Sequence, residues 1–177
     1  MERQAEPAIF SEEQRFGQVW LWIIILGMDV FFFTLFFAQF LGPVRPQTSG
    51  PADWFGLILV SLLCLGITGL FVYLKLITRV TSQGLSIQFL PLHRKPAVIS
   101  FSDISECSIR TYRPIMEYGG WGIKRGIGGL AYNVSGNQGL QLVLTDGRKI
   151  LIGTQKPEQF INAMSSAGKI KRIQDGV

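Results

Sequence analysis

Eight glycines lie in the range 116–139, among basic and aromatic side chains. Gly126, Gly128 and Ala131 match the Gly-x-Gly-x-x-Ala spacing of a dinucleotide site, and Asp146 lies about where an acid would bind a ribose. Such a site needs a helix after the glycines, because the helix N-terminus binds the phosphates. The next residues, LAYNVSGNQG, break a helical run. We therefore expect these glycines to permit bends, bulges and close backbone crossings in a sheet.

The remaining side chains offer little catalytic chemistry. His93 is the only histidine, and Cys64 and Cys107 are the only cysteines, so we predict no metal site and no disulfide. His93, in PLHRKP, is expected to face solvent in a turn. Paired carboxylates, or a nucleophile beside a base, are not found at recognisable spacing. We predict a chain that is not an enzyme, with no cofactor and no nucleic-acid partner.

A basic and aromatic surface is the first candidate site. We expect a hairpin within 116–139, with Lys124 and Arg125 near its tip. The range 79–177 holds thirteen Lys and Arg against six Asp and Glu. Each such cation near an anionic bilayer contributes about 1 kcal/mol, and a solvated surface is the alternative. The candidate residues for contact with a membrane or partner are Arg113, Trp121, Lys124, Arg125 and Tyr132.

Two long apolar runs are the elements that would bring this surface to a membrane. VWLWIIILGMDVFFFTLFFAQFL contains one charge and WFGLILVSLLCLGITGLFVYL contains none. Each exceeds the roughly 20 residues needed to cross a ~30 Å hydrocarbon layer. The predicted organisation is a tail at 1–18, spans at 19–42 and 54–77, an external loop at 43–53, a folded domain at 78–168 and a basic tail at 169–177.

The basic residues beside the spans predict their orientation. Lys75 lies at the end of the second span and Arg79 follows it, whereas the loop between the spans has only Arg45. Because positive flanks stay on the cytoplasmic side, both termini are predicted to be cytoplasmic.

Asp29 is the second candidate site, because a carboxylate in the middle of a span is costly. In an antiparallel helix pair its depth matches that of Cys64 and Thr68. Asp29 would be protonated, hydrogen-bonded to Thr68 or a backbone carbonyl, or paired across an oligomer. One acid does not supply the chain of polar groups that conduction requires. We therefore favour a structural or oligomer contact, with a protein partner or a second copy.

After the spans, the apolar pattern changes to that of strands followed by one helix. GLSIQFLPL and GLQLVL alternate between apolar and polar residues. Asp146 and Gly147, between two such runs, predict a hairpin with a two-residue type I′ turn. Pro157, Glu158 and Gly168 mark the two ends of an amphipathic helix.

The segments RVTSQGLSIQF, ISFSDISECSI and LQLVLTDGRKILIGTQKPEQFINAM resemble the bacterial pleckstrin-homology-like domains attached to membrane helices. The resemblance covers about 79–167. It implies an α+β membrane protein, in which a two-helix transmembrane hairpin is followed by a curved antiparallel β-sheet or barrel closed by a C-terminal α-helix. It also implies the bacterial inner membrane. The eukaryotic phosphoinositide signature is absent, and the fold serves lipid, peptide and protein binding alike.

Three functions stay open at this stage. The first is a membrane-anchored pleckstrin-homology-like module that acts as a scaffold or senses the membrane surface. The second is an enzyme or nucleotide-binding protein that uses the glycine-rich segment 119–139. The third is an accessory subunit that docks into a transport or other membrane complex through Asp29. The first and third are compatible.

Overall fold

The computed structural model describes residues 7–41 and 51–168. Within them the chain forms two compact units. One is a helical unit, 17–73, and the other is an α+β domain built from 7–16 and 74–168. The predicted external loop and basic C-terminal tail lie largely or wholly outside the described residues.

The helical unit contains α1 (Val19–Leu41) and α2 (Pro51–Tyr73). Both are long and apolar enough to cross a membrane, and most of their side chains are exposed. Contacts of Asp29 with Thr68 and of Phe36 with Trp54 show that the helices run antiparallel. The second helix ends at Tyr73 rather than at residue 77, because the residues from Lys75 onward alternate in burial and join a sheet.

The N-terminal segment is part of the domain, and its prediction as a tail was wrong. Strand β1 (Phe10–Arg15) pairs antiparallel with β2 (Lys75–Val80). The strand before α1 therefore lies beside the strand after α2. The helical hairpin is inserted between two neighbouring strands of the domain, instead of preceding the domain.

The first sheet has the order β1-β2-β3-β4, with β3 at Gly84–Leu90 and β4 at Ala97–Ser100. The alternation predicted for β3 is confirmed, since Leu85, Ile87 and Phe89 are all buried. A short 3₁₀ turn (Phe101–Asp103) then leads into the second sheet.

The second sheet has the order β5-β8-β9-β7-β6. Its elements are β5 (Ile104–Thr111), α3 (Pro114–Tyr118), β6 (Gly122–Gly126), β7 (Gly129–Asn133), β8 (Gln138–Leu144) and β9 (Lys149–Gly153). Strand β9 lies between β8 and β7, and it pairs antiparallel with β8 but parallel with β7. The prediction of a fully antiparallel sheet was therefore wrong for the β7–β9 pair. Among the described residues the strands form two sheets and no closed barrel.

The predicted C-terminal helix is confirmed as α4 (Pro157–Gly168). Phe160, Ile161 and Met164 are buried, as the helical spacing requires. The Phe160 ring stacks on Phe10 of β1, with ring centroids 4.9 Å apart. The closing helix therefore packs against the N-terminal strand as well as against the residues that follow α2.

The β8–β9 hairpin is present, but its turn differs from the predicted one. Leu144 N donates to Arg148 O at 2.8 Å and Gly147 N donates to Leu144 O at 2.9 Å. These bonds enclose three residues instead of two, and Gly147 has a φ of +83°. A left-handed glycine ending a three-residue loop is the next most common hairpin connection after the two-residue turns.

Candidate functional site

The residues that match the spacing of a dinucleotide site lie in a β-hairpin. Gly126 ends β6, Gly128 lies in the turn, and Ala131 is inside β7. No helix follows these glycines, so their N–H groups do not form the helix N-terminus that binds a pyrophosphate. A Cβ on Gly126 would collide with the carbonyl oxygen of Glu117, and one on Gly128 with the Tyr118 hydroxyl. These two glycines permit close packing of the hairpin against α3.

The two cations of the β6–β7 hairpin do not lie on one face. Lys124 and Arg125 are both exposed, but they are consecutive residues of β6 and so project to opposite faces of the sheet. Lys124 pairs with Ala131, whereas Arg125 pairs with Leu130. A single tip that uses both cations together is not formed.

The aromatic residues predicted for this surface are turned inward. Tyr132 is buried on β7, its ring lies 6.0 Å from that of His93, and burial raises its pKa above 10.0. Trp121 is half-buried and donates through Nε1 to Gly136 O at 3.1 Å. Arg113 is exposed beside α3, and its backbone N–H donates to Glu117 Oε1. The five predicted residues therefore do not form one surface.

The exposed apolar residue of the hairpin is Ile127, which sequence reasoning missed. Its side chain is 96% exposed in the turn between β6 and β7. A shallow hollow beside it is lined by Arg125, Arg148 and Lys149. The sequence signal was an isoleucine between two glycines, Gly126 and Gly128, just after the basic pair.

Asp146 is engaged within its own turn and is not part of a ribose site. Its carboxylate accepts from Arg148 N at 2.9 Å and from Arg148 Nε at 2.6 Å. These hydrogen bonds hold the pKa of Asp146 below 3.8.

Asp29 and Thr68 are in direct contact between α1 and α2. Thr68 Oγ1 lies 2.6 Å from Asp29 Oδ2 and 3.1 Å from the Cys64 carbonyl oxygen. A hydroxyl has one proton, and the shorter contact favours its donation to Asp29. Asp29 and Cys64 are both buried, and Asp29 Oδ1 has no hydrogen-bond partner among the residues that the structure describes.

A second polar cluster, which the sequence did not predict, joins β1 to the end of β9. The Glu12 carboxylate is buried and accepts from Thr154 Oγ1 at 2.5 Å and from Gln155 N at 2.8 Å. Gln14 Nε2 donates to Gly153 O at 2.7 Å. These bonds hold the strand that leads into α1 against the second sheet.

The β3–β4 loop, residues 91–96, differs from its prediction at one position. His93 is half-buried rather than solvent-facing, because its ring packs edge-to-face on Tyr132. Its neighbours Leu92, Arg94 and Lys95 are exposed. The loop is therefore fixed at its centre and open to solvent on both sides of that point.

Comparison of the chain with protein-family models, with curated proteins and with solved structures returned no match. Within 7–41 and 51–168, no group of three or more His, Cys, Asp or Glu side chains is placed to hold a metal ion.

Proposed function

We propose that the chain is a membrane-anchored, non-enzymatic module. In this proposal α1 and α2 cross the membrane, and the domain serves at the surface as a scaffold, accessory subunit or membrane-surface sensor. The pairing of β1 with β2 carries the proposal. Because β1 leads into α1 and β2 follows α2, a single sheet joins both ends of the apolar hairpin. This arrangement suits an anchor, since it keeps one domain at one face of the bilayer.

The domain is proposed to be a variant of the pleckstrin-homology-like class. Support comes from two sheets followed by the amphipathic helix α4, together with the segments that resemble that class. The open arrangement of the sheets and the parallel β7–β9 pair depart from the simplest form of that fold. Lipid, peptide and protein binding are all found on that fold, which is compatible with a membrane-surface module.

The domain is proposed to lie on the cytoplasmic side of a bacterial inner membrane. Lys75 and Arg15 flank the two helices at their domain ends, and positive flanks favour the cytoplasmic side. Since β1 and β2 are neighbours in one sheet, both termini belong to the same side.

Reporter fusions test the anchoring and its orientation. A reporter active only in the cytoplasm is expected to work when fused before Phe10 or after Val177. A periplasm-dependent reporter is expected to work only in the loop that contains Arg45, which lies outside the described residues. Reporters that place the two termini on opposite sides would rule out a single domain with both ends of the hairpin attached.

A second candidate function, docking into a membrane complex, is favoured by the unpartnered Asp29 Oδ1. A buried acceptor gains most from a donor on another transmembrane helix, and such contacts contribute about 0.6–2 kcal/mol in lipid. Asp29→Asn keeps the polarity of the side chain, whereas Asp29→Leu removes it. We expect Asp29→Leu to weaken assembly by several-fold more than Asp29→Asn.

Assembly of these two variants is measured by energy transfer between labelled copies and by recovery of complexes from native membranes. Thr68→Val serves as the control, because it removes the contact within the chain while leaving Oδ1 unchanged. Equal assembly of wild type and Asp29→Leu, with the same insertion into the membrane, would eliminate the docking function.

A further inference from the structure

The β3–β4 loop lies at the end of the first sheet where the chain joins the apolar helices. Arg15 pairs with Lys75, and Lys75 pairs with Leu90, the last residue before the loop. Paired Cα atoms in an antiparallel ladder are about 4.5–5.5 Å apart. Lys75 is two residues beyond the end of α2, so at most ~7 Å of chain separates it from Tyr73. The start of the loop therefore lies beside Lys75, at the end of the first sheet where the chain enters the domain from α2.

The charged side chains at this end of the sheet are mostly basic, and the loop also exposes the apolar side chain of Leu92. Leu92 is 61% exposed, and none of the ion pairs found in the described part of the chain involves Arg94 or Lys95. Glu13 pairs with both Arg15 and Lys75. With Arg94 and Lys95 added, this end carries four cations and one carboxylate.

The opposite end of the same sheet has a different composition. The connection between β2 and β3, residues 81–83, has the sequence TSQ and no charged side chain, although Arg79 precedes it on β2. The exposed Leu92 and the adjacent cations Arg94 and Lys95 occur in the β3–β4 connection, and the β2–β3 connection has no such residues. The opposite end exposes one apolar residue, Ile9, and one cation, Arg79. The end where the chain leaves the domain for α1 and α2 combines the exposed Leu92 with four cations.

The loop is also held in one conformation. His93 N donates to Phe89 O at 2.7 Å, and Gln88 Nε2 donates to His93 O at 3.2 Å. The His93 ring packs on Tyr132 of the second sheet. Fixing the middle of the loop lowers the entropy that would be lost when Leu92 and the cations engage a surface.

We propose that the β3–β4 loop docks on anionic phosphate headgroups of the bilayer that α1 and α2 cross, with Leu92 entering the interfacial layer. The inference rests on the proposed membrane anchoring. Arg94 and Lys95 bind the headgroup phosphates, and Leu92 supplies an apolar contact. The exposed cations of the β6–β7 hairpin, which the sequence favoured, are not the lipid contact.

The test uses the full chain in vesicles with and without anionic phospholipid. Single cysteines are introduced by Leu92→Cys, Ile127→Cys or Leu62→Cys, with Cys64 and Cys107 replaced by alanine, and each is labelled with a polarity-sensitive fluorophore. We expect the label at 92 to be quenched by a lipid-borne quencher in anionic vesicles. The quenching is expected to be weaker in neutral vesicles or at high salt. The label at 127 is expected to stay in water. A label at 92 that stays in water in anionic vesicles overturns the inference.

The label at 62 separates the two levels of the proposal, since Leu62 is exposed on α2. If that label is not in hydrocarbon, membrane anchoring itself is wrong. If it is in hydrocarbon while the label at 92 is in water, only the loop inference is wrong.

A matched pair of charge variants tests the role of the loop cations. Arg94→Gln with Lys95→Gln is expected to lower the ratio of docked to undocked loop by roughly tenfold or more. Lys124→Gln with Arg125→Gln removes the same charge elsewhere and is expected to leave that ratio unchanged. Equal effects of the two pairs would show general attraction and overturn the assignment to this loop.

Hydrogen exchange of the unlabelled wild-type chain provides a measurement that no substitution can disturb. We expect slower exchange at residues 92–95 in anionic than in neutral vesicles, and no difference at 124–128. Identical exchange in the loop in both lipids also overturns the inference.

Discussion

The β3–β4 loop and the β6–β7 hairpin contain nearly the same set of chemical groups. The loop exposes Leu92 with Arg94 and Lys95, and the hairpin exposes Ile127 with Lys124 and Arg125. Either set would suit a surface of anionic headgroups. Composition alone does not distinguish them, although the hairpin also lies among the glycines and aromatic residues of the candidate surface.

The two regions differ in how the chain is connected around them. The loop begins one ladder position from Lys75, which follows directly on α2. The hairpin belongs to the second sheet, and its two cations project to opposite faces of β6. A surface is therefore defined by register and connectivity as much as by residue type.

The largest expected effect concerns the backbone of the β6–β7 hairpin. Gly129 has a φ of +96°, and a Cβ there would collide with the Lys149 carbonyl oxygen. Gly147 also has positive φ, +83°, but a Cβ there would meet nothing within 4 Å. Gly129→Ala is expected to lower the free energy of unfolding by several kcal/mol, since strain and overpacking add. Gly147→Ala is expected to cost about 1–2 kcal/mol, from strain alone.

Denaturant unfolding of the two variants in detergent micelles measures this difference. If the hairpin is a structural element, Gly129→Ala destabilises the domain. In vesicles, the label at 92 is still expected to contact lipid in the fraction of this variant that is folded. Equal costs for the two alanines would show that the close approach between β7 and β9 is wrong.

The next effect concerns the attachment of β1, on which the position of the β3–β4 loop depends. Glu12→Ala would leave the Thr154 hydroxyl and the Gln155 N–H without their acceptor. An orphaned buried polar group costs about 1–3 kcal/mol, and more where a charge is involved. We expect Glu12→Ala to destabilise the domain by at least ~2 kcal/mol and to increase hydrogen exchange in β1.

Glu13→Gln is the matched control for that variant. Glu13 is the next residue, but it is exposed and makes only surface ion pairs, which contribute about 0.2–1 kcal/mol. A loss of stability for Glu13→Gln as large as that for Glu12→Ala would contradict the assignment of β1 to the domain core.

Sequence patterns predicted the elements whose apolar residues follow a simple period. The two apolar helices, the alternation in β3 and the helix α4 are examples, because burial on one face leaves a periodic trace. Strand β1 left no such trace. Its inward side chains include Glu12 and Gln14, which are buried by hydrogen bonding and not by hydropathy, so the segment had the composition of an acidic tail.

The candidate sites were predictable to a smaller extent. Thr68 was named as a partner of Asp29 because depth in an antiparallel helix pair follows from sequence position, and the two side chains are in contact. The grouping of Trp121 and Tyr132 with the exposed cations was wrong, since neither strand parity nor the packing of His93 on Tyr132 could be read from the glycine-rich segment. Strand register decides such groupings, and a glycine-rich segment specifies its register only weakly.

The smallest expected effect is a difference between the two regions in their response to pH. Hydrogen bonds from Arg15 and Lys75 hold the pKa of Glu13 below 4.5, and those from Arg148 hold the pKa of Asp146 below 3.8. A carboxylate with a lowered pKa stabilises the fold above its unfolded value, and that contribution is lost as the pH falls through the folded value. Protonation of either acid therefore lowers the stability of the fold slightly at low pH. Glu13 lies beside the β3–β4 loop, and Asp146 lies in the β8–β9 turn.

Their effects on the membrane contact of the loop should differ. Protonating Glu13 frees Arg15 and Lys75 from their shared partner and adds one positive charge at the helix end of the sheet. Contact of the label at 92 with anionic lipid is therefore expected to rise modestly below pH 4.5 while stability falls. The measured quantity is the difference in lipid contact between wild type and variants. Glu13→Gln should raise the contact at neutral pH and reduce its increase under acid conditions, whereas Asp146→Asn should change neither. If Asp146→Asn shifts the contact as Glu13→Gln does, the charge of the whole domain governs lipid contact, and the two regions are electrostatically equivalent.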